Sequence, residues 1–179
     1  MLRELLVEEL RDLYHAEGQL VKALPKMAKA AKSPKLKEAI QRHLTETEGH
    51  VERLQKAFEL LGEKQKAKPC KGMMGIVEEG REVIEEGKRR DEIDADLALI
   101  GAAQRVEHYE IAAYGTARAM AERLGEDRLV RLLSQTLQEE ENADQKLTKI
   151  AEPMLRESET GGEEEEDEEM EMEEEEEEV

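Results

Sequence analysis

Apolar residues recur at three- and four-residue intervals along four long stretches of the chain, the spacing that gathers them on one face of an α-helix. In the first stretch, about 2–31, the stripe is Leu6, Leu10, Leu13, Glu17, Leu20, Leu24, Met27 and Ala31. Pro25 falls inside it, removes one backbone donor and predicts a local bend. Ser33-Pro34 reads as an N-cap followed by a first-turn proline, opening a second helix over 34–61. Its stripe is Leu36, Ile40, His43, Thr47, His50, Leu54, Ala57 and Leu61. The third long helix covers 91–124 through Ile93, Leu97, Ile100, Ala103, Glu107, Ile111, Tyr114 and Ala121. It stops before Gly125, where a left-handed cap is expected. The fourth covers 127–155 through Leu129, Leu133, Leu137, Glu140, Asp144, Leu147 and Ala151.

About thirty residues separate the second and third long helices, where bundle connections are usually two to eight. Lys64 to Met74, rich in Lys and Gly with Pro69, reads as loop, and 76–88 as a short helix carrying Gly80 and Gly87. Two tight-turned hairpins joined by one long crossover predict an all-α four-helix bundle in which the second and third long helices run parallel. Composition agrees, because aromatic residues at 2% are too few for an ordinary β core while Leu, Ala, Glu, Lys and Arg favour helix.

Charge changes the picture at one place. The net charge of −19 comes mostly from 157–179, which holds 16 acidic residues and no basic ones; 1–156 has 30 acidic against 27 basic. The expected organisation is a folded bundle over 1–156 and a disordered acidic tail over 157–179, since like charges repel and nothing apolar is there to bury. With no basic patch standing out, nucleic acid is not an expected partner. No stretch has the length and apolarity of a membrane span, and the single cysteine, Cys70, suits a reducing compartment, so the expected location is cytoplasmic.

Carboxylates interrupt the apolar stripes. Glu17 lies between Leu13 and Leu20, Glu107 between Ala103 and Ile111, and Glu140 between Leu137 and Leu147, while Glu46 sits beside the stripe between His43 and His50. Burying unpaired carboxylates costs several kcal/mol each, on the order of the whole stability of a domain if four converge. Cations must compensate them, and few Lys or Arg lie close in the pattern. Two divalent metal ions held by carboxylates and imidazole satisfy the charge, and such oxygen and nitrogen donors suit iron or manganese, with zinc as a further candidate.

The runs that carry this chemistry resemble a known family. Leu13-Tyr14-His15-Ala16-Glu17-Gly18-Gln19-Leu20, His43-Leu44-Thr45-Glu46-Thr47, Val106-Glu107-His108-Tyr109-Glu110-Ile111-Ala112-Ala113-Tyr114-Gly115 and Thr136-Leu137-Gln138-Glu139-Glu140 with Asp144 are similar to the YciE/YciF ferroxidase family of the ferritin-like superfamily, also classed as a domain of unknown function. The resemblance covers about 2–155. It implies a ferritin-like four-helix bundle, a cytoplasmic stress-response protein, a homodimer and a di-iron site. It further implies Glu17, Glu46, His50, Glu107, Glu140 and Asp144 as metal ligands, with His43, Glu110, His108 and Tyr114 as supporting or alternative groups. Both paired positions depart from the family's Glu-x-x-His pattern, being four apart, with Asp144 in place of a histidine. Iron oxidised by O2 or peroxide is the implied chemistry. A di-manganese centre that dismutates peroxide, and a metal-free or structurally metallated bundle acting through partners, are the rival readings. Cys70, beside Pro69 in the loop, is expected to have no catalytic role, with an intermolecular disulfide as its alternative, and Met73-Met74 to anchor the crossover.

Overall fold

The computed structural model describes the backbone of residues 1–177 and the side chains of 1–158. Five helices follow in order: α1 Leu2–Ala30, α2 Pro34–Leu61, α3 Lys71–Gly87, α4 Glu92–Arg123 and α5 Asp127–Glu177. Helix α5 runs on to Glu177, through most of the stretch expected to be disordered, and positions 178 and 179 lie outside the described residues. Each turn has a local cause. Ser33 Oγ accepts from the Leu36 N–H with Pro34 in the first turn of α2, and Asp91 accepts from the Asp94 N–H at 2.9 Å to open α4. Gly62 (φ 65°) and Gly125 (φ 73°) take the left-handed conformation that ends α2 and follows α4. Pro25 lies on an exposed face and α1 continues through it as a single helix, because only the Val21 carbonyl loses its partner there.

Helix α1 packs on α2 and α4, and α5 packs on α2 and α4, which makes a square of antiparallel neighbours. The direction follows from who meets whom. Leu6, Leu10 and Leu13 at the start of α1 join Leu54, Phe58 and Leu61 at the end of α2, Ala117 and Ala121 late in α4, and Leu129 and Leu133 early in α5. At the other end Leu20, Leu24 and Met27 join Leu36, Ile40, Leu99, Ile100 and Leu147. Thus α2 and α4 run parallel, as the long crossover predicts.

The crossover differs from expectation in where its helix begins. Helix α3 starts at Lys71, inside the segment read as loop, because the Cys70 sulfur accepts the Met73 N–H at 3.3 Å and Met73 is fully buried. A buried apolar anchor outweighs the glycines that suggested loop. Helix α3 then lies in the groove between α1 and α4. A second tie was not legible in the pattern: the buried Asp96 carboxylate accepts the Lys32 and Ser33 N–H groups at 2.8 and 2.6 Å, fastening the α1–α2 link to α4.

Candidate metal centre

Between the two apolar blocks lies a polar layer to which all four long helices contribute. Helix α1 supplies Glu17; α2 supplies His43, Thr47 and His50; α4 supplies Glu107 and Glu110; α5 supplies Glu140; all are buried. The spacings explain the convergence, since positions three, four or seven apart share one helical face. Thr47 is satisfied locally, its hydroxyl donating to the His43 carbonyl at 2.9 Å. The others are aimed at one another. His50 Nδ1 lies 2.8 Å from Glu140 Oε1 and 3.3 Å from Glu17 Oε1. His43 Nε2 lies 3.4 Å from Glu107 Oε1 and 3.6 Å from Glu140 Oε2. Glu140 therefore turns one oxygen to each imidazole.

Closeness here is not hydrogen bonding. Both ring nitrogens of His43, Nδ1 of His50, both oxygens of Glu110 and Glu140, and one oxygen each of Glu17 and Glu107 are buried without a hydrogen-bond partner. An unpaired buried polar atom costs about 1–3 kcal/mol, so nine in one layer call for cations among them, whether protons or metal ions. Among the described residues, two groups have donor atoms within 4.8 Å of one another, Glu17–His50–Glu140 and His43–Glu107–Glu110–Glu140, and each could hold a metal ion. Four carboxylates and two imidazoles is also the donor set of di-metal carboxylate bundles. Its distribution differs. Thr47 stands three residues before His50 and Ala143 three after Glu140, where paired Glu-x-x-His motifs would place Glu and His; His43 and Glu110 supply those donors from other turns.

The electrostatics show how the layer is balanced by protons. Burial, then Glu140 and other nearby carboxylates, push the Glu107 carboxyl well above the usual range, and burial with Glu140, Glu17 and Glu107 does the same to Glu110. Burial pulls the His50 imidazolium down, but Glu140 and Glu17 outweigh it and raise it to about 10. Glu140 moves the other way: burial would raise it, and His50 and His43 hold it below the usual carboxylate value. A metal ion would replace those protons. The residues present therefore fit metal.

An outer set fixes the imidazoles. His50 Nε2 is 3.0 Å from Glu139 Oε2, and Arg53 grips Glu139 through two bonds of 2.7 and 2.8 Å. That leaves Nδ1 as the nitrogen facing the layer. At His43 the surroundings are looser: Glu46 Oε2 stands 3.6 Å from its Nδ1, beyond hydrogen-bond reach, Arg42 Nε donates to Glu46 Oε1 at 3.1 Å, and Nε2 faces inward. Tyr114 donates its hydroxyl to Glu17 Oε1, and burial beside that carboxylate keeps it a phenol.

Of the expected ligands, Glu17, His50, Glu107 and Glu140 come together. Glu46 stands outside on the His43 ring, and Asp144 is turned away, accepting from Gln104 at 3.0 Å with exposed His108 at 3.2 Å. Four residues after Glu140, the Asp144 side chain has rotated out of the layer toward α4's outer face. His43 and Glu110, expected as supporting groups, are in the layer itself. Glu139, which reads as a surface acid, is the one residue whose role the pattern hides; Arg53, three residues after His50, was the available clue. Cys70 is buried against Tyr109, whose hydroxyl donates to Asp12 at 3.1 Å; burial raises the thiol, consistent with a structural part.

Comparison with known proteins agrees with this architecture. Protein YciF of Escherichia coli K12 is 44% identical over 151 residues, 84% of this chain and 90% of that protein. The crystal structure of the E. coli stress protein YciF matches with a TM-score of 0.82 at 42% identity, covering 87% of this chain and 98% of that one. YcfI from Rhodopseudomonas palustris matches at 0.79 and 42% identity, covering 83% and 93%. A Xanthomonas campestris protein at 24% identity shares the fold, with a TM-score of 0.68 and coverage of 87% and 94%. Residues 1–160 match the family described as Domain of unknown function (DUF892), and the chain belongs to that family.

Proposed function

We propose that the polar layer binds two divalent metal ions, iron foremost, and that the protein handles or oxidises iron in defence against oxidative stress. The observation that carries this reading is the set of nine unpartnered, buried donor atoms from four helices. Glu17, His50 and Glu140 would hold one ion, and His43, Glu107, Glu110 and Glu140 the other, with Glu140 shared. Bound iron would supply the capacity for one-electron exchange with O2 or peroxide. The chain's own contribution is to fix six side chains in a buried layer, to leave coordination positions unfilled by protein, and to surrender the protons that balance the layer without metal. The description of the E. coli relative as a stress protein supports the physiological context. A cytoplasmic homodimer is the assembly that goes with this reading.

The raised Glu107 and Glu110 carboxyls favour a second reading, because protons alone can neutralise the layer in a metal-free bundle. Anaerobic Fe(II) titration of the full chain in excess Mg²⁺, which occupies loose sites on the acidic tail, separates the two. Saturation near two irons per chain with release of protons, followed by a near-ultraviolet band on adding O2, is the expected outcome; Glu107→Ala should lose both. No saturable iron would leave the proton-balanced bundle. Oxygen evolution from peroxide with manganese, but not with iron, would move the reading to a manganese enzyme.

A further inference from the structure

The centre is closed on one side and open on the other. On the His50 side the Arg53–Glu139 clamp lies over the ring, and Glu17, His50, Glu110 and Glu140 are wholly buried. On the His43 side a cavity of about 210 Å³ runs into the seam between α2 and α5. Its lining grades from exposed Arg42 and Lys146 and half-buried Glu46 to buried His43 and Glu107. Three alanines, Ala39, Ala103 and Ala143, leave the space between them. The last of these occupies the position where a paired ligand motif would put a histidine.

We infer that this seam is the entrance through which a divalent cation reaches the centre, with Glu46 as its first ligand and Arg42 as the group it displaces; the inference rests on the metal reading above. Polar atoms mark the path in order. Arg42 Nε holds Glu46 Oε1 at 3.1 Å, Glu46 Oε2 is 3.6 Å from His43 Nδ1, and His43 Nε2 is 3.4 Å from Glu107 Oε1. His43 is only 6% exposed, yet neither ring nitrogen has a hydrogen-bond partner, and Glu107 Oε2 has none. Glu46 is 27% exposed and Arg42 70%, so their i,i+4 pair is screened and weakly held. An arriving cation can take Glu46 from Arg42 at little cost, whereas the bidentate Arg53 grip on Glu139 offers no such exchange. Arg42 and Lys146 make the rest of the rim positive, so admission of a cation depends on the Glu46 carboxylate.

The test is anaerobic stopped-flow binding of Co(II) to the full chain, in excess Mg²⁺, read by the visible absorbance of nitrogen-ligated cobalt. Ala39→Leu and Ala143→Leu each fill the cavity while leaving every donor in place. Both should slow association by on the order of tenfold and preserve the final spectrum and stoichiometry, and thermal melts identify a variant that fails to fold. Glu46→Gln should slow association by about tenfold, and Arg42→Gln should speed it by a few-fold. Unchanged association in both folded leucine variants would overturn the entrance. So would a Glu46→Gln effect confined to dissociation, which would make Glu46 an orienting partner of His43. Absence of any saturable spectrum in the wild-type chain would sink the metal reading itself.

Discussion

At the scale of single residues, the histidines show how much depends on groups one layer out. His50 presents Nδ1 to the centre because Glu139 accepts at Nε2, and Glu139 stays there because Arg53 holds both of its oxygens. Outer partners of this kind typically change metal affinity by about 10–100-fold when removed. Glu139→Gln, which keeps the shape and loses the charge, should therefore weaken metal binding by roughly that range and loosen the tautomer preference of His50. Isothermal titration with Co(II) and nitrogen-15 NMR of the imidazole tautomers measure the two consequences; unchanged affinity with an unchanged tautomer would remove Glu139 from the design. Residue identity placed Glu17, Glu107 and Glu140 on core stripes without help from the fold. It could not say that Asp144 turns outward to Gln104 and His108, because four-residue spacing tolerates two faces and only the neighbouring helix selects one.

At the scale of elements, α3 teaches the most. Its helical pattern is faint, with four glycines between Lys71 and Gly87, and its stability comes from where it lies. Met73 inserts at its first turn among Leu20, Val106 and the rest of the apolar block, and Ile76, Val77 and Ile84 cover the α1–α4 groove. Gly72 is needed because a Cβ there would come within 2.6 Å of the Tyr109 ring. Met73→Ala should cost about 2–5 kcal/mol, and hydrogen exchange should quicken first in 71–87; uniform loss of protection across all helices would show that α3 is not a separable unit. The four long helices were legible because each carries a stripe repeated over many turns, and α2 and α4 also carry end signals of known chemistry, Ser33 and Gly62 on the one and Asp91 and Gly125 on the other. The start of α3 was not, since its anchor is a tertiary contact and its cap is a cysteine sulfur.

At the scale of the whole molecule, the buried layer links stability to pH. Glu107 and Glu110 bind protons more tightly folded than unfolded, so their contribution is fully present below about pH 4.5 and fades as the pH rises. His50 adds a second loss between its ordinary 6.5 and about 10. Glu140, Glu139 and Glu46 are shifted down, and their contribution is lost on the acid side, below about pH 4.5. The metal-free protein should accordingly melt at progressively lower temperature from pH 5 to pH 9, as scanning calorimetry in chelator would show. Saturating metal should reverse the trend, because the ions take the places of those protons and bind only the folded chain. A melting temperature that climbs steadily with pH in chelator would contradict the proton balance described for the layer.

The sequence by itself determined the helices, their long crossover, the side of each that is buried and the presence of carboxylates where apolar residues belong. These are local properties: periodicity, caps and the composition of a stripe are all written within a few turns of chain. Only the tertiary structure decided which donors meet. His43 and Glu110 enter the layer, Glu46 and Asp144 stand outside it, Glu139 is drawn in by Arg53, and a cavity opens beside Ala143. The physical reason is that a helix fixes the angle at which a side chain leaves the axis, but the rotation of one helix against the next decides which of two neighbouring angles points at the centre, and that rotation is set by packing along the whole length of the bundle.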